Sequence, residues 1–264
     1  MTAPVFVVEH FPSDGHQDGH QEGHRDGLLE GSQEGHPYVL DGPEGRHAVS
    51  VKRLRPGEEV ILTDGAGRYA VCEVTGTEGK DRLIVRMPAV TEEPEPVPRI
   101  TVVQALPKGD RGEVAVETMT EVGVDAVVPW QAARCITQWK GERGLKALGK
   151  WRATARESGK QSRRVRFPEI ADPATTKQVA ALLGAVDFAA VLHESGAERL
   201  ATAELPAEGD IVLVVGPEGG ISPEELTLFA QAGAKPYVLG STVLRTSTAG
   251  TAAAALLLGR TGRW

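Results

Sequence analysis

Apolar positions recur along this chain in two rhythms. Between Tyr38 and Met87 they come as short alternating runs broken by turn residues, in RPGEEVILTDGAGRYAVCEV and then DRLIVRM. Successive side chains on a strand face opposite sides, so this alternation predicts short strands with one buried face. Asp64-Gly65 and Ala66-Gly67 mark a hairpin between Val60-Ile61-Leu62 and Tyr69-Ala70-Val71. The expected unit is a small antiparallel β-barrel. After the proline-rich stretch PAVTEEPEPVPR the rhythm changes. ITVVQAL, DAVVPW, DFAAVLHE, DIVLVV and PYVLG read as strands, and DRGEVAVETMTEVG and residues 142 to 161 as helices. Strands alternating with helices predict a largely parallel sheet with helices on both faces. The domains are therefore placed at 1–90 and 99–264, with 91–98 as a semi-rigid linker.

The strand DIVLVV runs into GPEGGISPEE, a glycine-rich turn followed at once by a helix start. Ser222 with Glu225 forms a capping box, and Pro223 takes the first helical position. A polyphosphate loop would need a Lys after its last glycine, and a dinucleotide loop needs G-x-G-x-x-G. This turn has neither, and carries Glu218 at its centre. A carboxylate repels phosphate, so the expected ligand is something else, bound at the carboxyl end of a parallel strand. A second stretch, YVLGSTVLRTSTAGTAAAALLLG, ends a strand at Leu239-Gly240 and presents Arg245 in a short loop. Thr246 or Ser247 is expected to cap a final Ala- and Leu-rich helix that is buried rather than solvated.

Composition adds less than its distribution. The chain has 264 residues, 41% apolar and 25% charged, with a net charge of −7. Residues 1 to 45 hold nine acids and one Arg, which leaves 27 acids against 28 bases elsewhere. The acidity thus belongs to the N-terminal segment. Within it, SDGHQDGHQEGHRDG is too polar and glycine-rich to bury a core, so residues 13 to 36 are expected to be a disordered insertion. His16, His20 and His24 recur every four residues, the spacing of a helical metal face, but the interleaved glycines disfavour a helix and no metal is expected. Cys72 and Cys135 are far apart and read as reduced packing residues. No secretory signal and no membrane span is read, so a cytoplasmic protein without membrane contact is expected.

GPEGGISPEEL, followed about twenty residues later by LGSTVLRTSTA, resembles the RsmE-type family of 16S rRNA uracil-N3 methyltransferases in the SPOUT superfamily. The resemblance extends to ALPKGDRGE, to TEVGVDAVVPW with Arg134 after it, to KWRATARESGKQSRR, to the LHE at 192–194, and to HAVSVKRLRPGEEV, which is similar to that family's PUA-like barrel. It implies an α/β fold with a deep trefoil knot near residues 216 to 250, a small N-terminal PUA-like β-barrel, and a homodimer. It also implies S-adenosyl-L-methionine as cofactor, held by Leu192-His193, by Gly216, Pro217, Glu218, Gly219 and Gly220, and by Leu239, Gly240, Val243, Leu244, Arg245, Thr246 and Thr248. A sulfonium cation tolerates a carboxylate loop, and Glu218 either faces that cation or accepts backbone N–H groups of the turn. Arg245 is the expected catalytic residue, orienting substrate or stabilising charge near the methyl group. The general base is unassigned, with His193 the nearest titratable group. The family often has a Glu where this chain has Ser247, which leaves open a non-catalytic RNA-binding or ribosome-assembly role, or a different RNA target.

The RNA side is carried by charge. Residues 134 to 166 contain eleven Lys and Arg against Glu142 and Glu157, a local footprint for a phosphate backbone. Arg134, Arg152, Arg156, Arg163 and Arg164 are expected to touch small-subunit ribosomal RNA of the 30S particle. Lys108, Arg111, Arg53 and Arg55 extend that surface, and Trp139 and Trp151 offer stacking faces for unpaired bases.

Overall fold

The structure is a computed structural model that describes residues 3–12 and 35–264. Most of the histidine-rich segment, with His16, His20 and His24, lies outside the described residues. The chain forms two compact units. One comprises Met1–Pro94 with Arg163–Arg166, the other Glu95–Ser162 with Phe167–Trp264. The passage from first to second falls inside the proline-rich stretch.

The first unit holds strands β1 (Val5–Val7), β2 (His36–Leu40), β3 (Glu59–Thr63), β4 (Arg68–Glu78), β5 (Arg82–Met87) and β6 (Thr91–Glu92), with a short helix α1 (Gly42–Arg46) running into a π-turn at His47–Lys52. The sheet order is β1-β3-β4-β5-β2, with β6 on β4. The expected hairpin is present, with Leu62 opposite Ala70. The sheet is not purely antiparallel, however, because β1 pairs with β3 in parallel, Phe6 opposite Leu62. That pairing joins strands distant in sequence, which alternation alone cannot show. Phe6, Leu62, Cys72, Leu83 and Val85 build the core; burial pushes the Cys72 thiol up to about 12. The Val165 carbonyl accepts from Thr63 Oγ1 (2.7 Å) and from the Gly67 N–H (3.2 Å), and Arg166 donates to the Glu93 carbonyl (2.7 Å). Residues 163–166 are thereby fastened along this unit's own hairpin.

The second unit holds β7 (Arg99–Ala105), β8 (Ala126–Trp130), β9 (Glu169–Ile170), β10 (Phe188–Leu192), β11 (Glu198–Arg199), β12 (Asp210–Val215) and β13 (Lys235–Val238) in the order β11-β13-β10-β12-β7-β8-β9. Every pairing in it is parallel. Five helices accompany it: α2 (Arg111–Val122), α3 (Gly141–Gln161), α4 (Thr176–Leu183), α5 (Pro223–Gln231) and α6 (Thr246–Arg260). α2 packs on α3 and α6, and α4 on α5. The sequence signal for α4 was its own capping box, Thr175 with Gln178, which the strand-and-helix alternation had passed over.

Two expectations about side chains are corrected here. Trp151 is only 2% exposed, in the core with Leu148 and Ala155, and Trp139 meets it edge-on at 4.9 Å. The helix places Gly144, Leu148, Trp151, Ala155 and Gly159 on its buried stripe, so most of its basic residues, though not the buried Lys160, occupy the other face; Trp151 is spent on packing, with Trp139 half-buried against it. The final helix is also not capped by Thr246 or Ser247. Arg245 stands at its N-cap without a side-chain cap bond, because Thr246 turns its hydroxyl to the Gly216 carbonyl instead. The α2–α3 contact gives a first prediction. A Cβ at Gly112 would lie 2.6 Å from the Trp151 ring, so Gly112→Ala should cost about 1–3 kcal/mol in chemical denaturation through overpacking; an unchanged midpoint would refute that contact.

Candidate active site

β13, β10, β12 and β7 are neighbours and parallel, so the loops that follow them open on one edge of the sheet. Three of these loops surround a cleft of about 720 Å³. From the loop after β10 come Leu192, His193 and Glu194; from the loop after β12, Gly216, Pro217, Glu218, Gly220 and Ile221; from the loop after β13, Leu239 to Thr246. Ligands in open parallel sheets bind at this edge. The β12 loop is shaped by its glycines. A Cβ at Gly216 would stand 2.7 Å from Ile221 Cγ1, and Gly220 has φ +73°, a left-handed conformation that Gly adopts without penalty. Two bonds hold the third loop in register: Thr246 Oγ1 donates to the Gly216 carbonyl, and Gln104 Nε2 donates to the Thr246 carbonyl at 3.3 Å.

Of the residues expected at the cofactor, all but two line this cleft. Gly219 does not: its backbone backs onto Arg134, with a Cβ position 3.2 Å from Arg134 Cβ. Thr248 does not either, since it is already within α6 and its hydroxyl donates to the Arg245 carbonyl at 3.2 Å. Arg111, expected on the RNA side, lines the cleft. Neither its guanidinium nor that of Arg245 has a hydrogen-bond or ion-pair partner among the described residues. Tyr237 and Val238 also line it; they precede Leu239 on a strand end already singled out, so strand direction was the signal for them.

The carboxylate of Glu218 accepts the Lys108 N–H at 3.1 Å. The donor belongs to the loop after β7 and not to the glycine turn itself, and Glu218 lines the cleft as well. His193 is tied to its own loop. The Ser195 N–H donates to its Nδ1 (3.1 Å), and Ser195 Oγ lies 2.7 Å from the same nitrogen. A backbone N–H can only donate, so Nδ1 is the bare nitrogen and Nε2 carries the proton in the neutral ring. In that tautomer Nε2 donates and Nδ1 is engaged by Ser195.

The other basic residues divide between the units. Arg53 (φ 55°) and Arg163 (φ 64°) both sit in left-handed backbone, and Arg55 and Arg164 are also in the first unit. In the second, Lys108, Arg134 and Arg156 are exposed, while Arg152 is engaged by Asp172 (2.9 Å) and the Ile170 carbonyl (3.2 Å). Among the described residues no cluster of three or more His, Cys, Asp or Glu could hold a metal, and no helix is long and apolar enough to cross a membrane.

The cleft's geometry invites a direct check. Gly220→Val would place a β-branched residue at φ +73° in the turn that lines it, a strain of about 1–2 kcal/mol or a shifted loop. We expect binding of S-adenosylmethionine in calorimetry to weaken by about tenfold or more with the circular dichroism spectrum unchanged; unaltered affinity would remove this turn from the site.

Residues 93–258 match a family model described as RNA methyltransferase domain, and residues 40–87 one described as RNA methyltransferase PUA domain. Ribosomal RNA small subunit methyltransferase E of Mycobacterium bovis is 45% identical over 230 residues, covering 86% of this chain and 87% of that protein. The protein of the same name from Bacillus subtilis is 28% identical, over 82% of this chain and 88% of its own. Among solved structures, the Neisseria gonorrhoeae ribosomal RNA small subunit methyltransferase E bound to S-adenosyl methionine superposes with a TM-score of 0.76 at 27% identity, covering 98% of each chain. A Legionella pneumophila methyltransferase with bound cofactor SAM gives 0.75 at 28% identity, covering 87% of this chain and 94% of its own. The chain belongs to the ribosomal RNA small subunit methyltransferase E family.

Proposed function

We propose that this protein binds S-adenosylmethionine in the cleft and methylates N3 of a uracil in small-subunit ribosomal RNA, giving 3-methyluridine. The observation that carries the reading is the cleft itself: three loops at adjacent parallel strand ends, walled by glycine backbone and bordered by two arginines without partners among the described residues. The residues fit the cofactor. Gly216 and Gly220 bring main chain to the cleft lining, and the loop carries no Lys where a phosphate would need one. When bound, the cofactor supplies an electrophilic methyl group on a sulfonium. Uracil N3 carries a proton and becomes nucleophilic as that proton leaves, which puts negative charge on O2 and O4. Arg245 and Arg111 are the groups in the cleft suited to offset that charge, and the Nε2–H of His193 adds a neutral donor. The base has to leave its stack to enter such a cleft.

Two structural features of the resemblance are part of this proposal. The start of α6 is tied to the ends of β12 and β7 although β13, which precedes it, lies two strands from β12; that displacement supports a threaded, knotted C-terminal segment. Val243 is 88% exposed and Leu244 and Ile136 are exposed too, apolar surface that suits a homodimer.

One observation favours the second reading, an RNA-binding or assembly protein without activity. Ser247 is 3% exposed in the first turn of α6, so no carboxylate stands where the family often has one. Labelled S-adenosylmethionine and small subunits lacking the modification decide between them. After digestion to nucleosides, label in 3-methyluridine is expected. Label in another nucleoside would mean another target, and cofactor binding without label would favour the assembly role.

A further inference from the structure

Glu225 does more than cap α5. It is 4% exposed, and a capping box does not require a carboxylate to be buried, since the bond it makes is as good at a surface. Its Oε2 accepts the Ser222 N–H (3.1 Å), the capping bond. Its Oε1 accepts two donors from elsewhere: the Ala133 N–H at 2.8 Å and the Thr176 hydroxyl at 3.0 Å. Thr176 Oγ1 accepts in turn from Trp130 Nε1 at 3.2 Å. Among the described residues no cation pairs with this carboxylate, so hydrogen bonds alone offset the cost of burying it.

The next residue after Ala133 is Arg134, which donates to the Gly219 carbonyl at 3.2 Å and lies against the Gly219–Gly220 turn. The turn that walls the cleft is therefore held at two places by one buried group. Glu225 fixes its downstream end through Ser222, and fixes through Ala133 the segment whose Arg134 presses on its back.

We infer that Glu225 is a positioning residue for the cofactor: it sets where the Gly219–Gly220 turn stands in the cleft by holding Arg134 against it. This rests on the reading of the cleft as the S-adenosylmethionine site. Glu225→Gln separates the two jobs. Its amide oxygen satisfies two donors at the Oε1 position and only one at Oε2, so the clamp is kept and the capping bond lost. Glu225→Ala loses both, and Ser222→Ala weakens only the cap.

The test measures S-adenosylmethionine affinity by calorimetry alongside thermal midpoints. All three variants are expected to melt earlier than wild type. Affinity should stay within about threefold for Glu225→Gln and Ser222→Ala and fall by about tenfold or more for Glu225→Ala. In a double-mutant cycle with Arg134→Ala the two losses should fall short of their sum, because both act through one turn. Equal affinities in Glu225→Ala and Ser222→Ala, or additive losses, would overturn the inference and leave Glu225 a cap. The amide shifts of Gly219 and Gly220 are read by NMR without cofactor. They should move in Glu225→Ala and hold in Glu225→Gln; if they hold in both, the inference fails whatever the ligand. Wild-type protein that binds no S-adenosylmethionine while those shifts behave as expected would instead defeat the functional reading.

Discussion

Replacing Arg245 by Ala should lower the rate of methyl transfer about 10²- to 10³-fold, the usual cost of removing one group aimed at developing charge, with a much smaller change in cofactor affinity. The guanidinium stands at the N-cap of α6, lines the cleft and has no partner among the described residues. The side chain makes no cap bond, and a cation at a helix N-terminus opposes the helix dipole. The proposed role accounts for that placement. A group that acts on charge present only as N3 loses its proton should change kcat and kcat/KM together, and one that merely holds substrate should raise KM alone. Arg245→Lys keeps the charge but loses the planar fork, and an intermediate rate is expected. Single-turnover kinetics on small subunits reads this directly. A kcat within about tenfold of wild type in Arg245→Ala would take the residue out of the catalytic role and return that role to Arg111.

How far the cleft could be read in the sequence follows from where its determinants lie. The β12 loop was legible because its signals are contiguous: an apolar run, three glycines, then Ser222 and Glu225 at capping spacing. The loop after β13 was legible for the same reason, with Leu239-Gly240 and Arg245 in one short stretch. What the sequence hid depends on the third dimension. Ala133 meets Glu225 across 92 positions, and nothing in either segment announces the other. Gly219 and Gly220 are adjacent and chemically identical and both back onto Arg134, yet only Gly220 also lines the cleft. Arg111 was read as part of the RNA surface; only the position of α2 against the strand ends brings it to the cleft.

Trp151 teaches a different lesson. The positions 144, 148, 151, 155 and 159 recur at helical spacing, so the buried stripe of α3 was present in the sequence. A count of charge over the whole segment averages both faces of the helix, and so assigned to RNA two indoles that pack on each other. Periodicity had to be read before composition. The parallel pairing of β1 with β3 was beyond either. Alternation fixes which side chains face inward on a strand and is silent about which strand lies beside it.

The largest effect on stability should come from Asp125→Ala, at about 3–5 kcal/mol. The Asp125 side chain is 5% exposed and that of Arg263 16%, with Nη1 at 2.6 Å from Oδ2 and Nη2 at 2.9 Å from Oδ1. Oδ2 also accepts the Ile100 N–H at 2.8 Å, and Arg263 donates to the Pro98 carbonyl at 2.9 Å. One carboxylate thus joins the first strand of the unit, the turn before β8 and the residue three beyond the end of α6. Removing it strands a largely buried guanidinium and an orphaned backbone donor together, and water cannot easily reach either. Geometry distinguishes this pair from Arg152–Asp172, whose side chains are 53% and 85% exposed and whose loss should cost no more than about 1 kcal/mol. Urea denaturation with a constant slope reads both. The Asp125→Ala and Arg263→Ala double variant should lose less than the two single losses combined, since the second change removes the charge that the first left unpaired. A midpoint shift for Asp125→Ala no larger than for Asp172→Ala would show that burial adds nothing to this ion pair, and that the sheet holds the end of α6 without it.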